Sequence, residues 1–572
     1  MMALEQHAAP APRAHADARG ARPSGPSGRR RLVPLLVVVL LLGQMAVAMV
    51  TTAVQQTPTI DEPVYVGTAA EYVHEHRLRH NPEHPPLGKL VIGIGVALAD
   101  PQLGPSFSGG SPDGSAAGFP GDQGRLGRYV LYESGNDPWR LMLFARLPVI
   151  ALTLVFGLVV FAFAREVAGA PAGSAALGLY SFSPDVVAHG ALATLDVPAA
   201  GFVLTSVWLL WRARRRPRLY VPLAGAALGA ALATKMSTLA AVPVLVVLAG
   251  LSVWCARPPS ESRRRVLVRA VAGAGVVALA AIAVVWVSYL VVDPRLRWAP
   301  QQHVPTVHGL RGLLVELLPF PEAYRDGMRI QFGFENHPWQ GFLFGRLYTG
   351  SLWYYLPAAL LVKTPLGMLA LWAAGVVALV AVRRLRPLAP YLSAPTAVLL
   401  AAAMLGSRDF GTRYALFVPM FLAVAAGCVL AVRRRWAPVA VGALVLFVAV
   451  SSLRTYPYYL PYSNEAFGGP AKTRLRLHDS NVDWGQDLGR LADRLRERYR
   501  GERVWLVYKG SGVPSFYGIR AADPRKVPLG EVRGLLVVSD SSVAKATGRL
   551  AQLIDTSRPI DTVGHSITIY RR

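Results

Sequence analysis

Two adjacent carboxylates, Asp61 and Glu62, open a segment whose pattern predicts a helix over 62 to 78, with Tyr65 close behind them. An Asp placed before Glu-Pro can cap a helix, its side chain accepting a backbone N–H while Glu and Pro suit the first turn. A carboxylate held rigidly at that point can also take a proton from an incoming hydroxyl, and one residue can do both. A second cluster, His80-Asn81-Pro82-Glu83-His84-Pro85-Pro86-Leu87-Gly88-Lys89, packs two His, a Glu and a Lys between prolines that fix the backbone. Glu83 and His84 are reasonable ligands for a divalent ion and Lys89 could hold a phosphate, though a polar Pro-rich connector has the same composition. Asp196 precedes Val197-Pro198 at the edge of an apolar run, where an ionisable group is costly and an Asp is equally a good helix start. Lys235, Lys363 and Arg413 also fall at such edges, where each has the alternative of snorkelling to the interface. Gathered on one face of a membrane, these groups would suit transfer from a lipid phosphate. A carboxylate deprotonates the incoming hydroxyl, and cations or a metal stabilise the departing phosphate.

The elements that must position these groups are membrane helices. With 572 residues, 53% hydrophobic and 16% charged, the chain has too little polar surface to coat a soluble globule. From Leu32 onward the apolar runs number roughly eleven, many of them long enough for a hydrocarbon core of about 30 Å, and backbone satisfaction in lipid makes them helices. The formal charge of +26 does not point to nucleic acid, because the arginines stand in short clusters between apolar runs, as at 212 to 218. With the N-terminus inside, the basic loops at 212 to 218, 256 to 269, 383 to 386 and 433 to 435 all fall on the cytoplasmic side. The same topology puts the loops 53–141 and 292–357, and everything after 453, outside. Cys255 and Cys428 stand far apart, each late in a predicted helix, and offer no disulfide scaffold.

Three regions follow: a disordered cytoplasmic tail at 1–31, a transmembrane domain at 32–453, and a small extracytoplasmic α/β domain at 454–572. In the last, a charged helix is expected at 486 to 499, strands at 503 to 508, 534 to 538 and 566 to 570, and a helix at 541 to 553. Within loop 53–141, the apolar segment 87 to 99 is too short to span and reads as a surface-lying or re-entrant helix. Asp479-Ser480-Asn481-Val482-Asp483 lacks the Gly and the bidentate Glu of a calcium loop.

Taken together, these segments resemble the protein O-mannosyltransferase-like glycosyltransferases, glycosyltransferase family 39 of the GT-C superfamily, related to the bacterial lipid A aminoarabinose transferases. The resemblance is carried by Asp61-Glu62 with Tyr65, His84-Pro85-Pro86-Leu87-Gly88-Lys89, Leu195-Asp196, Trp353-Tyr354-Tyr355 with Lys363-Thr364-Pro365, Arg413-Tyr414, and Asp479-Ser480-Asn481-Val482-Asp483-Trp484-Gly485-Gln486-Asp487-Leu488. It implies a GT-C fold, a polyprenyl-phosphate sugar as donor, and an inverting displacement with Asp61 as base. On that likeness Glu62 joins Asp61 as a catalytic candidate, while Tyr65, His84, Lys89, Asp196, Lys363 and Arg413 become candidates for substrate binding. A divalent metal ion, with Glu83, His84 and His337 as ligands, is the one cofactor it suggests. The acceptor implied is a hydroxyl of a cell-envelope lipid, glycan or protein, and protein is disfavoured because the loop 292–357 is too short for the large β-trefoil insert of the eukaryotic protein mannosyltransferases. The setting implied is the plasma membrane, crossed many times, with the C-terminal domain outside. A multi-span lipid or solute transporter or flippase is the alternative. Against it, the acidic residues fall at outer mouths, where a transporter would place them near the midplane of repeated halves.

Overall fold

The computed structural model describes residues 28–104, 107, 122–258, 260–300 and 302–572, so most of the expected N-terminal tail lies outside the described residues. Within them the chain is a helical membrane domain followed by a small domain built on a sheet, the fold class expected. Five helices are long and apolar enough to cross a membrane: Leu32–Gln55, Pro138–Ala168, Met236–Cys255, Arg263–Val292 and Arg386–Met404. Tyr355–Lys363 and Leu366–Ala381 add a sixth if read as one span, bent by 119° at Thr364-Pro365. Pro365 supplies no N–H to continue the ladder, so carbonyls are orphaned there. Asn464 satisfies them: its side-chain amide donates to Leu361 O at 2.7 Å and Thr364 O at 2.8 Å.

The other apolar runs form shorter helices. The run 171 to 189 divides into Ala170–Ser181 and Pro184–Gly190, and 193 to 211 becomes Asp196–Ala213. Proline explains the division, since it cannot continue the preceding helix and favours an extended residue before it. Asp196–Ala213 is buried along most of its length and packs on Pro217–Leu232 and Pro138–Ala168.

Two helices outside the long spans shape the site. Glu62–His74 is largely buried, and Pro86–Ala99 packs beside it and against Pro138–Ala168. The second packing depends on Gly95, where a Cβ would stand 1.8 Å from the Phe144 carbonyl oxygen. Only a residue without a side chain admits so close an approach.

In the C-terminal domain the sheet order is Ala521–Ala522, Val504–Val507, Leu535–Ser539, Ile567–Arg571, Arg558–Val563. The first three strands are parallel, and Ile567–Arg571 runs antiparallel to both its neighbours. Leu535–Ser539 is buried at every position, as a central strand covered on both faces should be. Leu488, Leu491 and Leu495 of helix Leu488–Arg498 cover one face, and Leu553 of Gly548–Asp555 covers the other. The helix expected at 541 to 553 is two helices, Asp540–Ala544 and Gly548–Asp555. The strands Ala521–Ala522 and Arg558–Val563 were not expected, because each is a mostly exposed edge strand without apolar alternation.

Candidate active site

Asp61 sits at the N-cap position of Glu62–His74, but its side chain caps nothing. Its backbone, at φ −86° and ψ −24°, is already helical, whereas a capping residue is normally extended so that its side chain can reach back. The carboxylate faces a cavity of about 730 Å³ and accepts a hydrogen bond from Arg413 Nη1 at 2.5 Å. Arg413 lines the same cavity, its guanidinium stacked on the rings of Trp484 at 4.5 Å and Tyr414 at 5.0 Å. Asp196, in the first turn of Asp196–Ala213, lines it too and is ion-paired with Lys235. Lys235 in turn lies 5.3 Å from the centre of the Tyr414 ring.

Glu62, one residue from Asp61, is placed quite differently. It is fully buried and its carboxylate is consumed by five hydrogen bonds. Arg146 grips it with two, each at 2.7 Å, and the Thr59 N–H, the Thr59 hydroxyl and the Ala193 N–H supply the others. Burial by itself would raise the Glu62 carboxyl, but the Arg146 charge and these hydrogen bonds outweigh it and hold the pKa below the ordinary value. The arrangement fits a bracket for the segment leading into Asp61 rather than an acid or base in a pocket.

The loop 80–89 divides in the same way. Asn81, Glu83, His84 and Tyr65 line the cavity, with the Tyr65 and His84 rings edge to face at 5.8 Å. Burial, reinforced by the charges of Lys235 and Lys89, pushes the His84 imidazole well below its usual pKa and keeps it neutral. Lys89 is buried behind this wall. Its ammonium donates to the carbonyls of Asn81 and His84, both at 2.7 Å, and so braces the loop. Lys363 is likewise turned inward, against Asp185 at 3.2 Å and the carbonyls of Leu460 and Asn481. Neither lysine lines the cavity.

For a metal ion the residues do not fit. Among the described residues no group of three or more His, Cys, Asp or Glu side chains is placed to hold one. Glu83 and His84 lie side by side on the cavity wall, but His337 is exposed and packs on Trp339 at 4.4 Å. The Glu83 carboxylate already accepts from Gln123 Nε2 at 2.6 Å.

The structure also brings in groups that the sequence reading passed over. Arg408, hydrogen-bonded to Gln331 at 2.7 Å, and Arg311, over the Phe332 ring at 5.3 Å, add two cations to the cavity wall. Arg146 could have been found, since an arginine inside an apolar run is expensive enough to demand a buried partner. The same cavity is lined by apolar side chains of three helices, among them Ala200, Val203, Leu399, Ala403 and Phe417. One compartment therefore has both cationic and apolar walls, a lining whose polarity suits an amphiphile with an anionic head group.

Residues 141–289 match the family model described as dolichyl-phosphate-mannose-protein mannosyltransferase. The match agrees with the resemblance drawn from the motifs, and the matched segment contains Arg146, Asp196 and Lys235. No curated protein matches the chain. Among solved structures, ArnT from Cupriavidus metallidurans in the apo state is 15% identical, with 93% of this chain and 97% of that one covered and a TM-score of 0.46. The same protein bound to undecaprenyl phosphate gives the same identity and coverage, with a TM-score of 0.44. The S. cerevisiae protein O-mannosyltransferase Pmt1-Pmt2 complex bound to the sugar donor is 17% identical, with 46% of this chain and 34% of that one covered and a TM-score of 0.35.

Proposed function

We propose that this chain is a GT-C glycosyltransferase that moves a sugar from a polyprenyl-phosphate carrier to a hydroxyl acceptor of the cell envelope, at the outer face of the plasma membrane, with inversion. The observation that carries the reading is the Asp61 carboxylate, which leaves its helix uncapped and faces a cavity lined by both cations and apolar side chains. The family match at 141–289 and the undecaprenyl phosphate bound by ArnT support the donor class.

In this reading the polyprenyl chain lies along the apolar side chains and the phosphate lies against Arg413, with Lys235, Arg408 and Arg311 around it. Asp61 takes the proton of the acceptor hydroxyl as that oxygen attacks the anomeric carbon. The bond from anomeric carbon to phosphate oxygen breaks, and its electron pair leaves with the polyprenyl phosphate. The cations stabilise that charge as it develops. Asp196 holds Lys235 in place, Tyr65 and His84 form the wall beside the sugar, and Glu62 acts through position alone. Lys89 and Lys363 serve as braces. No step is routed through a metal.

The test is transfer of label from polyprenyl-phosphate mannose, glucose and arabinose to endogenous lipid, glycan and protein, by membranes carrying the intact chain or Asp61→Asn. The intact chain should transfer at least one sugar, and the variant, equally expressed, should lose about 10²- to 10⁴-fold, the usual contribution of a general base. Equal transfer by the two would remove Asp61 from the mechanism.

A further inference from the structure

The segment Asp479–Leu488 belongs by sequence to the C-terminal domain, yet in space it threads between the two strands of chain that deliver Asp61 and Arg413. On one side it pins the approach to Asp61. The Thr57 N–H donates to Gln486 O and the Ile60 N–H to Trp484 O, both at 3.0 Å, and the Thr57 hydroxyl donates to Gly485 O at 3.1 Å. On the other side it pins the approach to Arg413. The Thr412 N–H donates to Asn481 Oδ1 at 3.1 Å, the Ser480 hydroxyl to Phe410 O at 2.6 Å, and the Trp484 ring lies 4.5 Å from the Arg413 guanidinium.

The sheet latches this segment from behind. Lys509 is ion-paired with Asp479, and the Tyr508 hydroxyl donates to Gly485 O at 2.8 Å. Ser541 bonds Asp483 O at 3.0 Å, Ser566 bonds Asp487 Oδ2 at 2.6 Å, and Ser511 reaches across to Ile60 O at 2.8 Å. The fit at Gly485 is close: its φ is +92°, and a Cβ there would meet Gly510 Cα at 2.8 Å. Asp61 and Arg413 are 352 residues apart in the chain and stand on separate elements, so their 2.5 Å contact needs a common reference. The Asp479–Leu488 segment bonds to both approaches, through its backbone carbonyls on the Asp61 side and through the Ser480 and Asn481 side chains on the Arg413 side.

We propose that the C-terminal domain is a working part of the transfer site, and that Trp484 is a positioning residue which, through its backbone on Ile60 and its ring on Arg413, sets the geometry of the Asp61–Arg413 pair. The proposal rests on the reading of Asp61 as base and deepens it. A group held about 1 Å out of place can cost on the order of 10²-fold in rate without altering the affinity for the remote parts of a substrate. The domain therefore acts on turnover more than on donor binding.

The experiment compares Trp484→Ala, Trp484→Phe and Asp61→Asn in the full chain, in membranes, with the donor panel above. Trp484→Ala should lower kcat by about 10- to 100-fold per folded molecule with donor KM changed less than about threefold, and Trp484→Phe, which keeps an aromatic face under Arg413, should restore most of it. Native turnover per folded molecule in Trp484→Ala, beside an inactive Asp61→Asn, would overturn the positioning role and leave the base intact. Native turnover in Asp61→Asn would overturn the parent reading instead. A second measurement does not depend on transfer. In purified full-length protein, Tyr508→Phe or Lys509→Met should speed amide exchange in peptides covering 56–61 and 409–413 while leaving the helix Pro138–Ala168 as protected as before. Unchanged exchange at both peptides would overturn the latch.

Discussion

Glu62 and Asp61 are neighbours with the same chemistry and opposite surroundings. Glu62 has a guanidinium on both its oxygens, while Asp61 shares an arginine with an open cavity. Removing one member of a buried ion pair leaves the other uncompensated, which typically costs about 3–5 kcal/mol. Glu62→Gln should therefore lower the melting temperature and the yield of folded protein, and the double change with Arg146→Met should recover part of the loss. Asp61→Asn, in contrast, should leave the melt close to native, because its carboxylate is partly exposed and caps no helix. A circular-dichroism melt of the three purified variants checks both statements. The adjacent carboxylates were legible in the sequence; their division of labour was not, because it depends on Arg146 and the Ala193 N–H, both far along the chain.

At the scale of elements, two features invite measurement. Ala200 of Asp196–Ala213 lines the cavity, so Ala200→Phe should narrow it. The expected result is a rise of about tenfold in KM for a long polyprenyl donor, equivalent to roughly 1.4 kcal/mol, and a smaller change for a donor with a short chain. The second feature is the latch between the membrane domain and the sheet. His478 is buried there, its Nε2 within 3.2 Å of Asp409 O, and burial pushes its pKa down to about 3. A base whose folded pKa is depressed contributes stability that is present above its unfolded pKa and lost as pH falls toward the folded one. Below about pH 6.5 the unfolded chain takes up the proton first, at a cost approaching 1.4 kcal/mol per pH unit. Burial raises Asp483 to about 7, an effect of opposite sign over much of the same window. The informative readout is therefore the difference between native protein and His478→Gln: the native melt should fall relative to the variant between pH 7 and pH 5.

For the whole molecule, the arrangement of basic loops makes a topological prediction. With Cys255 and Cys428 replaced, Arg215→Cys should react with a membrane-impermeant maleimide only after permeabilisation, and Glu531→Cys in the C-terminal domain should react in intact cells. The reverse pattern would place the cavity and Asp61 on the inner face. Among the described residues five helices, or six with the bent pair, are by themselves long and apolar enough to cross a membrane, where roughly eleven apolar runs were expected. The other runs form shorter or proline-broken helices, such as Ala170–Ser181, Phe417–Val432 and Ala437–Leu453. Asp196–Ala213 is surrounded by other helices, while Arg263–Val292 presents much of its surface outward.

What the sequence by itself determined was whatever depends on local composition and spacing. Apolar length and the scarcity of charge specified a helical membrane protein, the change of pattern after 453 marked an α/β unit, and the family motifs offered Asp61 and Arg413 together with Glu62, Tyr65, His84, Lys89, Asp196 and Lys363 as candidates. Only the tertiary structure decided which candidates face the cavity. Lys89 and Lys363 carry the same charge as Lys235, yet the two of them are turned onto backbone carbonyls behind the wall while Lys235 meets Asp196 within it. Nor could sequence distance show that the Asp479–Leu488 segment lies beside Asp61 and Arg413. The physical reason is the same in each case: a charge in a membrane protein must find a partner, and the partner is chosen by how helices pack, which spacing along the chain does not encode.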